Sequence, residues 1–260
     1  MMNSLWIAKT GMTSQQNKMD VVSHNLANVS TTGYKRQNAI FEDLMYQNMR
    51  QVGAQADEQN MLPTGMHLGL GVRTVATTRN FTQGTPTETS KELDVAINGN
   101  GFFQIQMPDG TTAYTRDGTF TRDANGQMVT SSGYPLLDGI TIPADAVKVS
   151  ISKSGLVSAT ITGNPAPQQI GQLNTASFIN PAGLEPIGEN LYRESAASGA
   201  PQAGQPGTNN LGTVMQGFLE SSNVNVVEEL VSMIQTQRAY EMNSKAISTS
   251  DQMLAKLSQL

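Results

Sequence analysis

The sequence contains no cysteine, which excludes a disulfide framework, a thiol nucleophile and any thiolate metal site. His24 and His67 are the only histidines, too few to build a histidine-rich metal centre. Charged residues make up 14% of the chain, against about 25% in an average soluble protein. The net charge of -5 argues against nucleic-acid binding, because phosphate neutralisation needs a Lys/Arg-rich face. No run approaches the roughly 18 to 20 apolar residues that span a bilayer, so direct membrane insertion is not expected. The start, MMNSLWIAKT, lacks the basic stretch and continuous apolar stretch of a cleaved secretory signal. What remains is a polar, weakly ionic chain of 260 residues, long enough for one large domain or two modest ones. Its head is mildly basic: Lys9, Lys18, Lys35 and Arg36 face only Asp20 within residues 1–36.

Both ends carry a seven-residue apolar repeat. Leu5, Met12, Met19 and Leu26 form a heptad seam, widened by Ala8, Val22 and Val29. The spacing predicts a helix that Asn3 or Ser4 caps and that stops near Val29, with Gly33 suited to a left-handed exit. At the other end Val226, Met233, Tyr240, Ile247 and Leu254 repeat again, with Val227, Leu230, Ile234 and Leu257 beside them. Asn225 followed by Glu228 predicts the start of this second helix.

Between the helices the period falls to two and turn signals become dense. Asn98-Gly99, Pro108-Asp109-Gly110, Asp123-Ala124-Asn125-Gly126 and Lys153-Ser154-Gly155 punctuate β-rich runs and predict hairpins. The expected fold class is therefore α+β with segregated parts: terminal helices forming a coiled-coil-like helical domain, and a central, mostly antiparallel β domain. The expected boundaries are 1–36 for the first helix and its exit motif, 37–69 for an irregular extended linker, and 70–193 for the β domain. An Ala/Gly/Pro-rich return linker, 194–221, and the second helix, 222–260, complete the chain. Each apolar stripe is narrow, so neither helix buries much of itself alone. The periodicity leaves two options open, an intramolecular helical hairpin or a multi-helix assembly. In the second case the ends of a dilute monomer stay frayed and become ordered on assembly.

The stretch Ser23-His24-Asn25-Leu26-Ala27-Asn28-Val29-Ser30-Thr31-Thr32-Gly33-Tyr34-Lys35 resembles the N-terminal signature of the bacterial flagellar axial proteins, the rod and hook subunits. Leu93–Ile105, Tyr114–Leu137 and Ser222–Ser258 resemble further blocks of that family in the same order. Length and the segment Gln47–Gly71 look most like its distal rod subgroup, with the proximal rod and hook subgroups as alternatives. The resemblance implies a structural subunit, not an enzyme, that polymerises into a hollow helical shaft, transmits torque and encloses the export channel. It implies no catalytic residue, cofactor or metal. The implied partners are other copies of the chain, adjacent proximal rod and hook axial proteins, the surrounding basal-body rings and the flagellar export apparatus. The implied location is the basal body, spanning the periplasm and reached without a cleaved signal peptide.

With that expectation, the assembly interface falls on Leu5, Met12, Met19, Val22, Leu26, Val226, Leu230, Met233, Tyr240, Ile247 and Leu254. A chain-exit motif falls on Asn25, Asn28, Thr32, Gly33 and Tyr34, where the asparagine amides satisfy helix-end carbonyls or bond a neighbouring backbone. Arg238 is a candidate partner for Glu228, Glu229 or Glu241 of a neighbouring copy, and Gln47–Gly65 for a brace between copies. Asp123–Gly126 lacks the Asp and Glu that a calcium loop needs at Thr121 and Ser132, and Gly99-Asn100-Gly101 and Gly69-Leu70-Gly71 precede no helix; all read as turns. A secreted stalk with the same plan, or a wall hydrolase using Asp94, Asp117, Asp123 or Glu185, would be the competing classes.

Overall fold

The computed structural model describes residues 2–52, 55–57, 60–61 and 64–257, and the chain divides into two compact units. The helical unit takes the chain up to Ala27, Gln37–Thr78 and the chain from Asn225; the β unit takes Asn28–Arg36 and Arg79–Val224.

In the helical unit, α1 spans Met2–Ala27 and α2 spans Val226–Leu257, about 39 and 48 Å at 1.5 Å per residue. The first helix ends two residues before Val29, and it is already helical at Met2, so Asn3 and Ser4 do not cap it. Asn3 instead donates to Gln47 Oε1 at 3.3 Å. Asn225 does cap α2: its Oδ1 accepts the Val227 N–H at 3.0 Å, satisfying one of the orphan donors of the first turn.

The two helices pack against each other, but the buried positions of α2 are not its apolar ones. On α2 they are Glu229, Thr236 and Ser250, with half-buried Asn243 completing the same seven-residue spacing. On α1 Ala8, Ser14, Val22 and Asn25 are buried, and a Cβ at Gly11 would lie 3.0 Å from Asn243 Nδ2. Small and polar residues let the backbones approach; on α2 the buried positions lie three residues beyond the expected apolar ones, whereas α1 buries the expected Ala8 and Val22.

Residues 37–69 are not an irregular linker. Gln37–Asp43 pairs with Val72–Arg79, and Thr10 Oγ1 and Asn17 Nδ2 of α1 bond Val72 and Thr74. Tyr46–Arg50 runs antiparallel to Met66–Gly69, with Tyr46 opposite Gly69 and Asn48 opposite His67. The described residues of Gln47–Gly65 thus belong to a β-hairpin; residues 53–54, 58–59 and 62–63 lie outside the described residues. The strand Tyr46–Arg50 is exposed along its whole length, so no alternation marked it.

The β unit is built on a six-stranded antiparallel sheet in the order Glu185–Gly188, Leu191–Arg193, Thr112–Thr115, Phe102–Gln106, Thr175–Ser177, Gln202–Gly204. Both faces of its centre are covered. Phe103 and Ile105 enter one apolar cluster with Val95, Ile97, Phe120 and Val157, and Phe102 enters another with Tyr114, Phe178 and Tyr192. The hairpins at Pro108–Gly110, Asp123–Gly126 and Lys153–Gly155 form as expected. The supposed return linker 194–221 is part of this unit. Gln202–Gly204 is an edge strand of the main sheet, Thr213–Gln216 pairs with Val95–Asn98, and Phe218–Glu220 pairs with Pro86–Glu88. Apart from Gly204, its Gly and Pro residues sit between these short strands, where they permit sharp reversals.

Candidate assembly site

The expected exit motif divides between the two units. Asn25, 1% exposed in the helical unit, holds the backbone of Gln37 from both sides. Its Nδ2 donates to Gln37 O at 2.8 Å and its Oδ1 accepts the Gln37 N–H at 2.9 Å. The same Nδ2 lies 3.4 Å from Glu229 Oε2, so one amide ties α1, the first strand and α2. Asparagine suits this work because it donates and accepts from one planar group.

The rest of the motif is anchored in the β unit. Asn28 stabilises the turn after α1, accepting Thr31 N–H at its carbonyl and Thr31 Oγ1–H at its side chain, both at 3.1 Å. Thr32 Oγ1 donates to Asp117 Oδ1 at 3.0 Å, and Asn190 Nδ2 donates to Thr32 O at 3.3 Å. Gly33 has φ +68°, and a Cβ there would stand 2.7 Å from Asp117 N and 2.8 Å from Arg116 C. Its N–H donates to Glu220 O at 2.8 Å. Tyr34 is buried.

Beneath this turn lies a charge cluster that the sequence did not reveal. Lys35 is fully buried; its Nζ reaches Glu220 Oε1 at 2.5 Å and Thr82 O at 2.8 Å. Glu220 Oε2 meets Arg116 Nη1 at 3.2 Å, and Oε1 also accepts the Gly84 N–H at 2.8 Å. Arg116 spends Nη2 on Gly99 O at 2.7 Å and lies over the Phe102 ring, 5.4 Å from its centroid. One carboxylate therefore pairs with two buried cations. Burial pushes the Lys35 ammonium below its ordinary value, with Glu220 opposing and Arg116 adding to the shift. Burial likewise lowers Arg116, again against Glu220.

A second stitch lies three residues on. Asn223 Oδ1 accepts the Arg36 N–H at 2.7 Å, and its Nδ2 donates to Asn80 O at 2.8 Å and Thr82 O at 3.1 Å. Asn80 N–H in turn donates to Arg36 O at 2.9 Å. At Gly84 a Cβ would come within 1.9 Å of Ser221 O, so only glycine allows these segments to lie so close. Lys35, Arg116, Glu220 and Asn223 gave no local signal, because each finds its partners across distant sequence.

The expected interface residues occupy mixed environments. Val22 is buried; Leu5, Met12, Met19, Leu26, Met233, Ile247 and Leu254 are half-buried; Val226, Leu230 and Tyr240 are exposed. Trp6, Ile7, Val227, Val231, Ile234, Met242 and Met253 are exposed as well, and the sequence reading had not singled them out as interface. Glu229 lies inside the chain's own helix pair, so it is withdrawn as a partner for a neighbour's Arg238; Glu228 and Glu241 are exposed. The carboxylates considered for hydrolysis have structural tasks. The Asp117 carboxylate fixes the turn at Thr32 and Thr119, that of Asp123 accepts Asn125 Nδ2–H at 3.3 Å in a hairpin turn, and that of Glu185 pairs with Arg193 at 2.9 Å; Asp94 is buried, its backbone carbonyl accepting Gly217 N–H. Among the described residues no cluster of His, Asp and Glu could hold a metal.

Comparison with known proteins accounts for this arrangement. Residues 5–35 match the flagella basal body rod protein family, residues 96–159 the flagellar hook protein FlgE/F/G D1 domain, and residues 215–260 the flagellar basal body rod FlgEFG protein C-terminal family. The flagellar basal-body rod protein FlgG of Buchnera aphidicola (from Schizaphis graminum) is 58% identical, with 100% of each chain covered. The chain belongs to the flagellar basal-body rod protein FlgG family. It is a structural subunit of the rod and has no enzymatic role. In Bacillus subtilis the FlgG protein is 40% identical over 99% of this chain and 98% of its own, whereas the hook-basal body complex protein FlhP is 33% identical over 98% and 97%. The full-length match to the FlgG proteins assigns the chain to the distal rod subgroup.

Proposed function

We propose that the chain assembles by helical self-association through α1 and α2, in a coiled-coil-like packing of many copies that encloses the export channel and carries torque along the shaft. One observation carries this reading: α2 turns polar residues, Glu229, Thr236 and Ser250, inward and leaves a row of large apolar ones outside. Val227, Val231 and Ile234, spaced by four and three, are 69%, 49% and 51% exposed. Exposed apolar surface in a continuous row marks an interface, and burying such side chains is worth about 1.5–3 kcal/mol each when complete. Contacts of this head-to-tail kind generate an open helix.

The hairpin around Tyr46–Gly69 supports a bracing role between copies. Met45, Tyr46, Met49, Val52, Met66 and Leu68 are all at least 40% exposed, so the ribbon offers apolar side chains on both faces. Further proposed partners are the proximal rod and hook axial proteins at the two ends, the ring proteins outside and the export apparatus that delivers the chain to the periplasm without signal cleavage. Electron microscopy of the purified protein, concentrated with and without residues 1–36, tests the reading. Tubes are expected only from the intact chain; tubes of equal order from the truncated one would overturn it.

A further inference from the structure

We propose that Asn223 is the positioning residue that makes three of the four backbone passages into and out of the β unit behave as one joint. The chain enters this unit at Asn28 and again at Arg79, and leaves it after Arg36 and after Val224. Three single strands would each twist about their own φ and ψ, so a load applied beyond them would be passed on loosely. Asn223 stands on the last passage, accepts the Arg36 N–H of the second and donates to Asn80 O and Thr82 O of the third. One side-chain amide thus bonds two further passages within four residues of where they cross. The Asn80–Arg36 backbone bond closes the triangle. No other residue type offers this combination at this length: aspartate lacks the donor, and serine or alanine cannot span the three segments. The ion cluster at Glu220 lies deeper in the unit and anchors the turn itself, whereas Asn223 sits at the crossing, where the direction of departure is decided.

The inference rests on the reading of the chain as a torque-bearing subunit, and its test separates the two. Asn223→Ala and Asn223→Asp are made in the full chain, and amide hydrogen exchange is followed at Arg36 and at Ile105 in the core. Asn223→Ala should speed exchange at Arg36 at least tenfold and leave Ile105 within twofold of wild type. Asn223→Asp keeps the acceptor for Arg36, so exchange there should stay within threefold, but its carboxylate faces the Asn80 and Thr82 carbonyls. In flagellated cells both variants should enter isolated basal bodies in wild-type amounts while swimming speed falls at least threefold and the rods lose straightness. Straight rods and normal swimming in Asn223→Ala, despite the faster Arg36 exchange, would reduce Asn223 to a local cap and overturn the proposal. Unchanged Arg36 exchange would overturn it too. If Asn223→Ala loses protection at Ile105 as well, the Asp variant decides: normal swimming sinks the proposal and impaired swimming upholds it. Absence of wild-type chain from rods would instead defeat the assembly reading, with the exchange results still standing.

Discussion

Replacing Glu220 by glutamine keeps the size and one acceptor oxygen but deletes the only anion between Lys35 and Arg116. The Gly84 N–H can still find Oε1, and Lys35 keeps Thr82 O; what is lost is the charge, and the new NH2 points at a guanidinium. Breaking a buried ion pair from one side costs about 3–5 kcal/mol, because an uncompensated charge is left inside. Removing Lys35 instead, as Lys35→Met, leaves Arg116 and Glu220 matched, and Thr82 O retains a donor in Asn223. It also relieves the burial that lowers the Lys35 pKa, so the cost should be only about 0–2 kcal/mol, a lost charged hydrogen bond partly offset. Urea unfolding followed by circular dichroism in the β-sheet region tests the order. Fluorescence does not, because the single tryptophan, Trp6, lies in α1. With a slope of roughly 2 kcal/mol per molar urea, Glu220→Gln should lower the midpoint by about 1.5–2.5 M and Lys35→Met by less than about 1 M. Equal shifts, or a larger one for Lys35→Met, would refute the account of two cations sharing one carboxylate.

Gly33→Val should cost more than a usual surface change, about 2–4 kcal/mol, since a β-branched residue is strained at positive φ and its Cβ meets the Asp117 and Arg116 backbone; the same urea titration measures it, and a loss below about 1 kcal/mol would contradict it. Burial raises the Tyr114 hydroxyl from 10.0 to about 12. The unfolded chain therefore ionises first, and the stability of wild type relative to Tyr114→Phe should be full below pH 10 and decline from there to pH 12; a difference that is flat over that window would argue against a buried phenol. Trp6 is 52% exposed in the single chain, so its emission should shift to the blue as tubes form, and an unchanged spectrum would place α1 away from the interface. Dilute monomer should exchange its Ala8 and Thr236 amides at least a hundredfold faster than Ile105, a gap that closes on assembly; equal protection in the monomer would argue against coupled folding.

Much of the architecture was written in periodicities. The seven-residue spacing located both helices, and the turn residues located the hairpins, because those signals act between neighbours. Counting apolar residues set the α2 seam three residues off its true phase: Glu229, Thr236, Asn243 and Ser250 line it, and their polar pairing outweighs the greater hydrophobicity of Val226 or Tyr240. The ribbon at Tyr46–Gly69 escaped notice because a strand with both faces in solvent needs no alternation. The strands near Gln202, Thr213 and Phe218 were hidden by glycines and prolines that belong to their turns. The junction itself was half legible. Gly33 and Asn25 announced themselves by chemistry, while Glu220 and Asn223 act at a distance that no local pattern reports.

That distance has a kinetic consequence. Lys35 meets Glu220 across 185 residues, and Arg36 meets Asn223 across 187. Closing a loop of that length costs about 2.5 kcal/mol more entropy than closing one of ten residues. The knot at the start of the chain cannot be drawn tight until its final fifth has arrived. A fragment cut short anywhere before Glu220 would leave its opening segment loose, so only finished copies would be fit to join the growing rod.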